Sequence, residues 1–189
     1  MDCTAPITYI QTADTTDLGA FFSALFRKEK REDYCKEVLS FTKKVELTLA
    51  DYPKAEKSYS RTIVARAEEG FEGMIARWDS GIAGVVHGHP DYAFYHLVYG
   101  RLGVEHFKLG PEGPELVTSC IMEPGDHFCV EGVAGRFDNA IHRITALEES
   151  LSVHMYSSDA LLGTCYHDYA EDSLFLKKSG EKPSPQGCI

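Results

Sequence analysis

Apolar positions change period once along this chain. Between Asp17 and Leu49 they fall at helical spacing, with Leu18, Phe21, Phe22, Leu25 and Phe26 in an i, i+3, i+4 pattern. Val38, Leu39, Phe41, Val45, Leu47 and Leu49 continue it less regularly, and Pro53 closes the section. From Ser58 the texture becomes short runs rich in β-branched and aromatic residues. They are Thr62–Ala67, Gly73–Trp78, Gly84–His89, Phe94–Tyr99, Leu102–Leu109, Leu116–Met122, His127–Val130, Ala140–Ala146 and Leu151–Tyr156. Turn signals such as Asp79-Ser80-Gly81, Tyr99-Gly100 and Pro124-Gly125-Asp126 lie between them. Many short strands at this spacing predict a β-sandwich or barrel. The expectation is a single domain over 1–189: a helical section at 1–55, a β core at 58–165 and a loosely ordered tail at 177–189.

Composition narrows the class. Hydrophobic residues make up 43% and charged residues 25%, which is globular. The formal charge is 19 − 29 = −10, which argues against nucleic acid and anionic membranes as partners, since both reward clustered cations. No apolar run approaches the ~18–20 residues of a membrane-spanning helix. The stretch Leu18–Phe26 lacks a basic leader before it and a small-residue cleavage site after it, so it reads as part of an amphipathic helix. Six cysteines, Cys3, Cys35, Cys120, Cys129, Cys165 and Cys188, are too sparse for a disulfide scaffold and form no C-x-x-C pair. They are expected as reduced thiols of a cytoplasmic protein.

The eight histidines carry the sharpest chemistry. His87 and His89 stand two apart, so in a strand both project to one face and can chelate one ion. Two polar residues on a solvated strand face are the plainer alternative. His142 lies in another alternating apolar run and is the third candidate ligand. Gly81 precedes His87 by six positions, and Gly100 ends the strand that follows. Together with a later strand histidine this resembles the cupin pattern. That pattern usually adds a Glu after H-x-H, but the counted position here is Ala93. Three neutral imidazoles would leave a dication its full charge, ready for an anionic substrate such as a thiolate, with open positions for guests. Asp91 is the alternative carboxylate ligand. His96, His106, His127 and His167 have no comparable spacing and read as surface or core residues.

The run Leu151–Ser157 alternates cleanly, with Leu151, Val153 and Met155 on one face and Ser152, His154 and Tyr156 on the other. If the polar face points into a barrel, the three must satisfy one another. Serine would fix one ring nitrogen while the other addresses the phenol. An outward, solvated face is the alternative.

Taken together these residues resemble the cysteine dioxygenase family of thiol dioxygenases within the cupin superfamily. The resemblance also rests on Tyr59-Ser60-Arg61, on Trp78 with Gly81, and on Cys165, and it covers about Ser58 to Cys165. It implies a mainly β cupin fold, a double-stranded β-helix or jelly-roll barrel, with N-terminal α-helices. It further implies Fe(II) held by His87, His89 and His142. Arg61, with Tyr59 beside it, would grip a substrate carboxylate, and Tyr156 would be oriented by His154 and Ser152. The implied reaction adds both atoms of O2 to the sulfur of a small thiol carboxylate, cysteine or an analogue. The implied protein is a monomer or small homo-oligomer. Two departures matter: no cysteine stands at Ala93 or Phe94 to crosslink the tyrosine, and the common His-Asp-His is His87-Gly88-His89. The open alternatives are a 3-mercaptopropionate-type dioxygenase, a cupin isomerase or lyase with another metal, and a non-catalytic binding protein.

Overall fold

A computed structural model describes residues 8–10, 17–28, 33–68, 70–167 and 173–176. Two helices come early, α1 (Asp17–Leu25) and α2 (Tyr34–Thr42). A short strand β1 (Thr8–Ile10) precedes them. The β body follows as β2 (Tyr59–Arg66), β3 (Glu72–Trp78), β4 (Val86–His89), β5 (Tyr92–Tyr99), β6 (Leu102–Gly110), β7 (Gly113–Met122), β8 (His127–Glu131), β9 (Asn139–Ala146), β10 (Ser150–Tyr156) and β11 (Cys165–Tyr166). Each of the nine runs read from the sequence overlaps one of these strands. The tail 177–189 lies outside the described residues.

The strands form two sheets, ordered β1-β2-β3-β10-β5-β8 and β11-β4-β9-β6-β7. Taken alone, β3 through β10 divide into β3-β10-β5-β8 and β4-β9-β6-β7. Only the β6–β7 hairpin stays within one sheet; every other step crosses between them. That order is the eight-stranded jelly roll of two Greek keys, so the expected cupin-type barrel with N-terminal helices is what the chain forms.

The centre of the six-stranded sheet, β3, β10 and most of β5, is buried on both faces. Leu151, Val153 and Met155 point outward from β10 and pack with Leu18, Phe22, Leu25 and Val38 of the helices. Phe22 is wholly buried, and it presses so closely on β3 that a Cβ at Gly73 would come within 2.7 Å of its ring. The inward residues, among them Met74, Trp78, Tyr95, Leu97 and Tyr156, fill the barrel with Leu102, Val104 and Ile144 of the facing sheet. Residues of alternating polarity are thus sorted by the pleat into a helix-covered apolar face and a barrel interior.

The outer face of the second sheet carries an ion pair. Arg143 on β9 donates from Nε and Nη2 to Glu105 on β6 at 2.8 and 2.7 Å, both residues almost wholly buried. Ser173 Oγ donates to the same carboxylate at 3.1 Å, and the Phe175 ring covers Gly103. The buried charges are therefore paired bidentately and further hydrogen-bonded, as burial demands.

The cysteines correct the expectation of reduced thiols. Cys35 on α2 is disulfide-bonded to Cys129 on β8, 94 residues away in sequence. Cys120 and Cys165 are also disulfide-bonded, and no cysteine among the described residues is free. Helix α2 packs against β5, whose ladder neighbour is β8, so the pairing follows from tertiary placement that residue spacing does not reveal. The cytoplasmic expectation loses its support with it. No helix among the described residues is long and apolar enough to cross a membrane.

Candidate metal centre and its cleft

Strands β4 and β9 lie side by side and antiparallel, with His87 opposite His142 and His89 opposite Asn139. One more residue lies on β9 than on β4 between those pairs, so β9 bulges. Ala140 takes up the bulge at φ 48°, the left-handed region that costs an L-residue about 1–2 kcal/mol. Asn139 holds the bulge in place, accepting from Val133 N and donating to the His89 carbonyl. The three rings converge inside the barrel with centroids 4.7–4.8 Å apart, and one ligand nitrogen from each lies within 4.8 Å of the others. His89 and His142 are buried, while His87 opens partly to a cleft.

The chemistry of this set fits a divalent cation. Burial lowers the basicity of all three rings, so at neutral pH they are uncharged donors. His87 donates its Nδ1–H to the Val85 carbonyl at 2.9 Å, which leaves the lone pair on Nε2. The Nε2 atoms of His89 and His142 face each other at 3.3 Å, while their Nδ1 atoms are buried with no hydrogen-bond partner among the described residues. That spacing suits one shared ion at the ~2.0–2.1 Å of metal–imidazole bonds. Among the described residues this is the one group of three or more such side chains able to hold a metal ion. Asp91 is not part of it; it accepts a hydrogen bond from Ser157 Oγ.

Glycine between the two β4 histidines has a steric cause. A Cβ at Gly88 would lie 2.5 Å from Asp138 Cα and 2.9 Å from the Phe137 carbonyl oxygen. The backbone leading into β9 crosses directly over Gly88, whose N–H donates to the Thr164 carbonyl at 2.8 Å.

Strand β10 runs along the opposite wall, and its polar face does point inward. Ser152 Oγ lies 2.7 Å from His154 Nε2, and His154 Nδ1 lies 2.8 Å from Tyr156 Oη. Trp78 Nε1, which can only donate, gives its hydrogen to Ser152 Oγ at 2.8 Å. Proton counting then orders the chain. Burial drives the His154 pKa down to about 3, so the ring is neutral and carries one N–H. If that hydrogen sat on Nε2, the fully buried Ser152 hydroxyl would have no acceptor for its own. With the hydrogen on Nδ1 every donor is used: Trp78 to Ser152, Ser152 to His154 Nε2, and His154 Nδ1–H to Tyr156 Oη. Tyr156 thus accepts, and its own O–H is left to point into the cleft. Burial raises the Tyr156 phenol above its usual range, so it stays protonated. Its ring stacks on His89 with centroids 4.9 Å apart.

Arg61 and Tyr59 reach the same cleft from β2, which lies on β3. The Tyr59 ring stacks on Trp78 at 4.3 Å, and burial raises its phenol. Arg61 is buried; its Nε contacts Met74 Sδ at 3.2 Å and its Nη2 donates to Glu72 Oε1 at 2.9 Å. Its Nη1 makes no hydrogen bond among the described residues.

The structure therefore brings His87, His89, His142, His154, Tyr156, Arg61 and Tyr59 around one cleft, with Ser152 behind His154. The cleft has about 720 Å³ of empty volume, counting its mouth. Ala93 stands opposite Tyr156 in the β5–β10 ladder, so no thiol adjoins the phenol there. Glu72 joins this group through Arg61, and its signal in the sequence is a carboxylate within the run Phe71-Glu72-Gly73-Met74. Tyr95, whose buried hydroxyl has no hydrogen-bond partner among the described residues and whose ring stands edge-on to His142 at 5.3 Å, carries no such signal. Of the remaining histidines, His96 is buried beside Thr42, His106 stacks on Phe128, and His127 and His167 are exposed.

No family model matches the chain, and no curated protein does. Several solved structures are similar at low identity. A cupin superfamily protein from Desulfitobacterium hafniense is 14% identical over 61% of this chain and 92% of its own, with a TM-score of 0.47. KdgF from Halomonas sp. is 21% identical over 59% of this chain and 93% of its own, at 0.40. Oxalate oxidase in complex with the substrate analogue glycolate is 14% identical over 64% and 62%, at 0.47. With scores below 0.5, these likenesses bear on neither metal nor substrate. What the chain itself shows is a jelly-roll barrel with a buried three-histidine site.

Proposed function

We propose that this protein is a non-haem Fe(II) thiol dioxygenase that converts a small thiol carboxylate, cysteine or a close analogue, to its sulfinate. The observation that carries the reading is the convergence on one cleft of three imidazoles, a buried guanidinium whose Nη1 makes no hydrogen bond among the described residues, and a phenol at the end of the Ser152–His154 hydrogen-bond chain. Bound by His87, His89 and His142, iron would supply the redox chemistry that joins O2 to sulfur.

The chain's own residues do the rest. No carboxylate shares the ligand set, so the site retains positive charge and favours an anionic thiolate. Arg61 offers Nη1 to the substrate carboxylate, and charge-assisted pairing in a buried cleft fixes the ligand's far end. Tyr156 donates its hydroxyl hydrogen to a group held between it and the histidines. His154 and Ser152 keep that hydrogen pointing inward. Met74, Ile144, Ala160 and Leu161 line the cleft and exclude water. Paired cysteines fit an oxidising compartment.

The test is to load the protein with Fe(II) and offer cysteine, 3-mercaptopropionate and related thiols. Thiol-dependent O2 uptake with sulfinate seen by mass spectrometry is the expected result. No uptake across the panel, with zinc or nickel retained stoichiometrically on native purification, would favour a cupin isomerase or lyase instead.

A further inference from the structure

The guanidinium that faces the cleft does not act alone. Glu72, with no exposed surface, takes Nη2 of Arg61 on Oε1 and Nη2 of Arg66 on Oε2. Arg66, whose side chain is 50% exposed, also reaches Asp159 Oδ2 at 3.3 Å. Asp159 in turn caps the short turn Ala160–Leu162, accepting from Leu161 N at 2.9 Å. One buried carboxylate is thus shared by a cation facing the cleft and a cation facing water. Among the described residues, Arg61 has no other acidic partner.

We propose that Glu72 and Arg66 are positioning residues that set the cleft's affinity for anions by acting through Arg61. The inference deepens the reading of Arg61 as the carboxylate-binding group and rests on it. Arg61, Glu72 and Arg66 together carry one positive charge, which Asp159 offsets at the solvent-facing end beside Arg66. An anion at Arg61 Nη1 sits close to the Glu72 carboxylate and is repelled by it across a water-poor interior. Arg66 offsets part of that repulsion. With Arg66 gone, Glu72 neutralises Arg61 more completely. With the Glu72 charge gone, Arg61 presents its full charge to the ligand. Because Arg66 is half-exposed, solvent screens its share, and its effect is the smaller one.

The experiment compares wild type, Arg66→Met, Glu72→Gln and the double variant by anaerobic isothermal titration of the iron-loaded protein. One probe, 3-mercaptopropionate, carries a carboxylate; the other, ethanethiol, does not. For 3-mercaptopropionate, Arg66→Met is expected to raise Kd about threefold and Glu72→Gln to lower it about fivefold, with the double variant between them. Ethanethiol should bind all four alike. A merely structural role for Glu72 would weaken both probes together, and that result overturns the proposal. An unchanged Kd in Arg66→Met also overturns it, and this arm decides alone if Glu72→Gln does not fold. If the predicted order appears without sulfinate formation, the charge-sharing role stands and the dioxygenase reading fails. If sulfinate forms without the order, the reverse holds.

Discussion

Replacing Ser152 with alanine tests the hydrogen-bond chain at its least replaceable atom. The change deletes one oxygen, so little packing is lost. It leaves two buried groups without partners: the Trp78 indole N–H and the His154 Nε2 lone pair, now 2.8 and 2.7 Å from nothing polar. Each orphaned group costs about 1–3 kcal/mol, so the loss of stability is expected within about 2–6 kcal/mol. The two costs share one cause, so the lower half of that range is the better expectation. Urea unfolding followed by circular dichroism gives the stability change. Trp78 is the chain's single tryptophan, so its fluorescence reports directly on the lost contact. Nitrogen NMR of the imidazoles gives the position of the His154 hydrogen, which should move from Nδ1 alone to a mixture of both nitrogens. Nε2–H on His154 in the unsubstituted protein would refute this proton order, and a stability change below about 0.5 kcal/mol would refute the cost assigned to the two orphaned groups.

Three further outcomes follow from other parts of the molecule. Cys35→Ala with Cys129→Ala opens a loop of 94 residues, and loss of about 2–4 kcal/mol in urea unfolding is expected; an unchanged midpoint would count against the crosslink. Burial first, then the charges of His127 and Lys43, lower the folded His96 pKa to about 4, against ~6.5 unfolded. The unfolded chain therefore binds the extra proton between those values, and stability falls as pH drops through that window, by up to about 2 kcal/mol at pH 5. His96→Gln should remove that part of the slope, and identical slopes would reject the assignment. Gly88→Ala puts a methyl into the Asp138 backbone, so a stability loss of about 1–3 kcal/mol is expected, together with weaker metal binding in calorimetric titration. Unaltered affinity would show that the crossing segment yields without disturbing the flanking histidines.

What could be read from the sequence was whatever has a period. Ser152, His154 and Tyr156 sort to one face by alternation, and so do His87 and His89. The strand runs were found for the same reason, usually short by one to three residues at an end, as with Thr62–Ala67 against Tyr59–Arg66. Alternation does not say which face is inside: β10 could be oriented only once α1 and α2 were seen to cover Leu151, Val153 and Met155. Partnerships across long separations were also hidden. Nothing near Cys35 points to Cys129, and nothing near Arg61 says that Glu72 divides its charge between two guanidiniums. The three-residue β1 pairs in parallel with β2 and has too few positions to show any period.

His142 and Arg143 are neighbours on β9, and a strand sends neighbours to opposite faces. Slippage of β9 by a single peptide unit would therefore swap an imidazole for a guanidinium inside the barrel and expel the ligand to the exterior. The bidentate grip of Glu105 on Arg143, sealed by Ser173 and Phe175, opposes that slip from the far side of the sheet. A salt bridge with no access to the cleft thereby decides which residue the cleft receives.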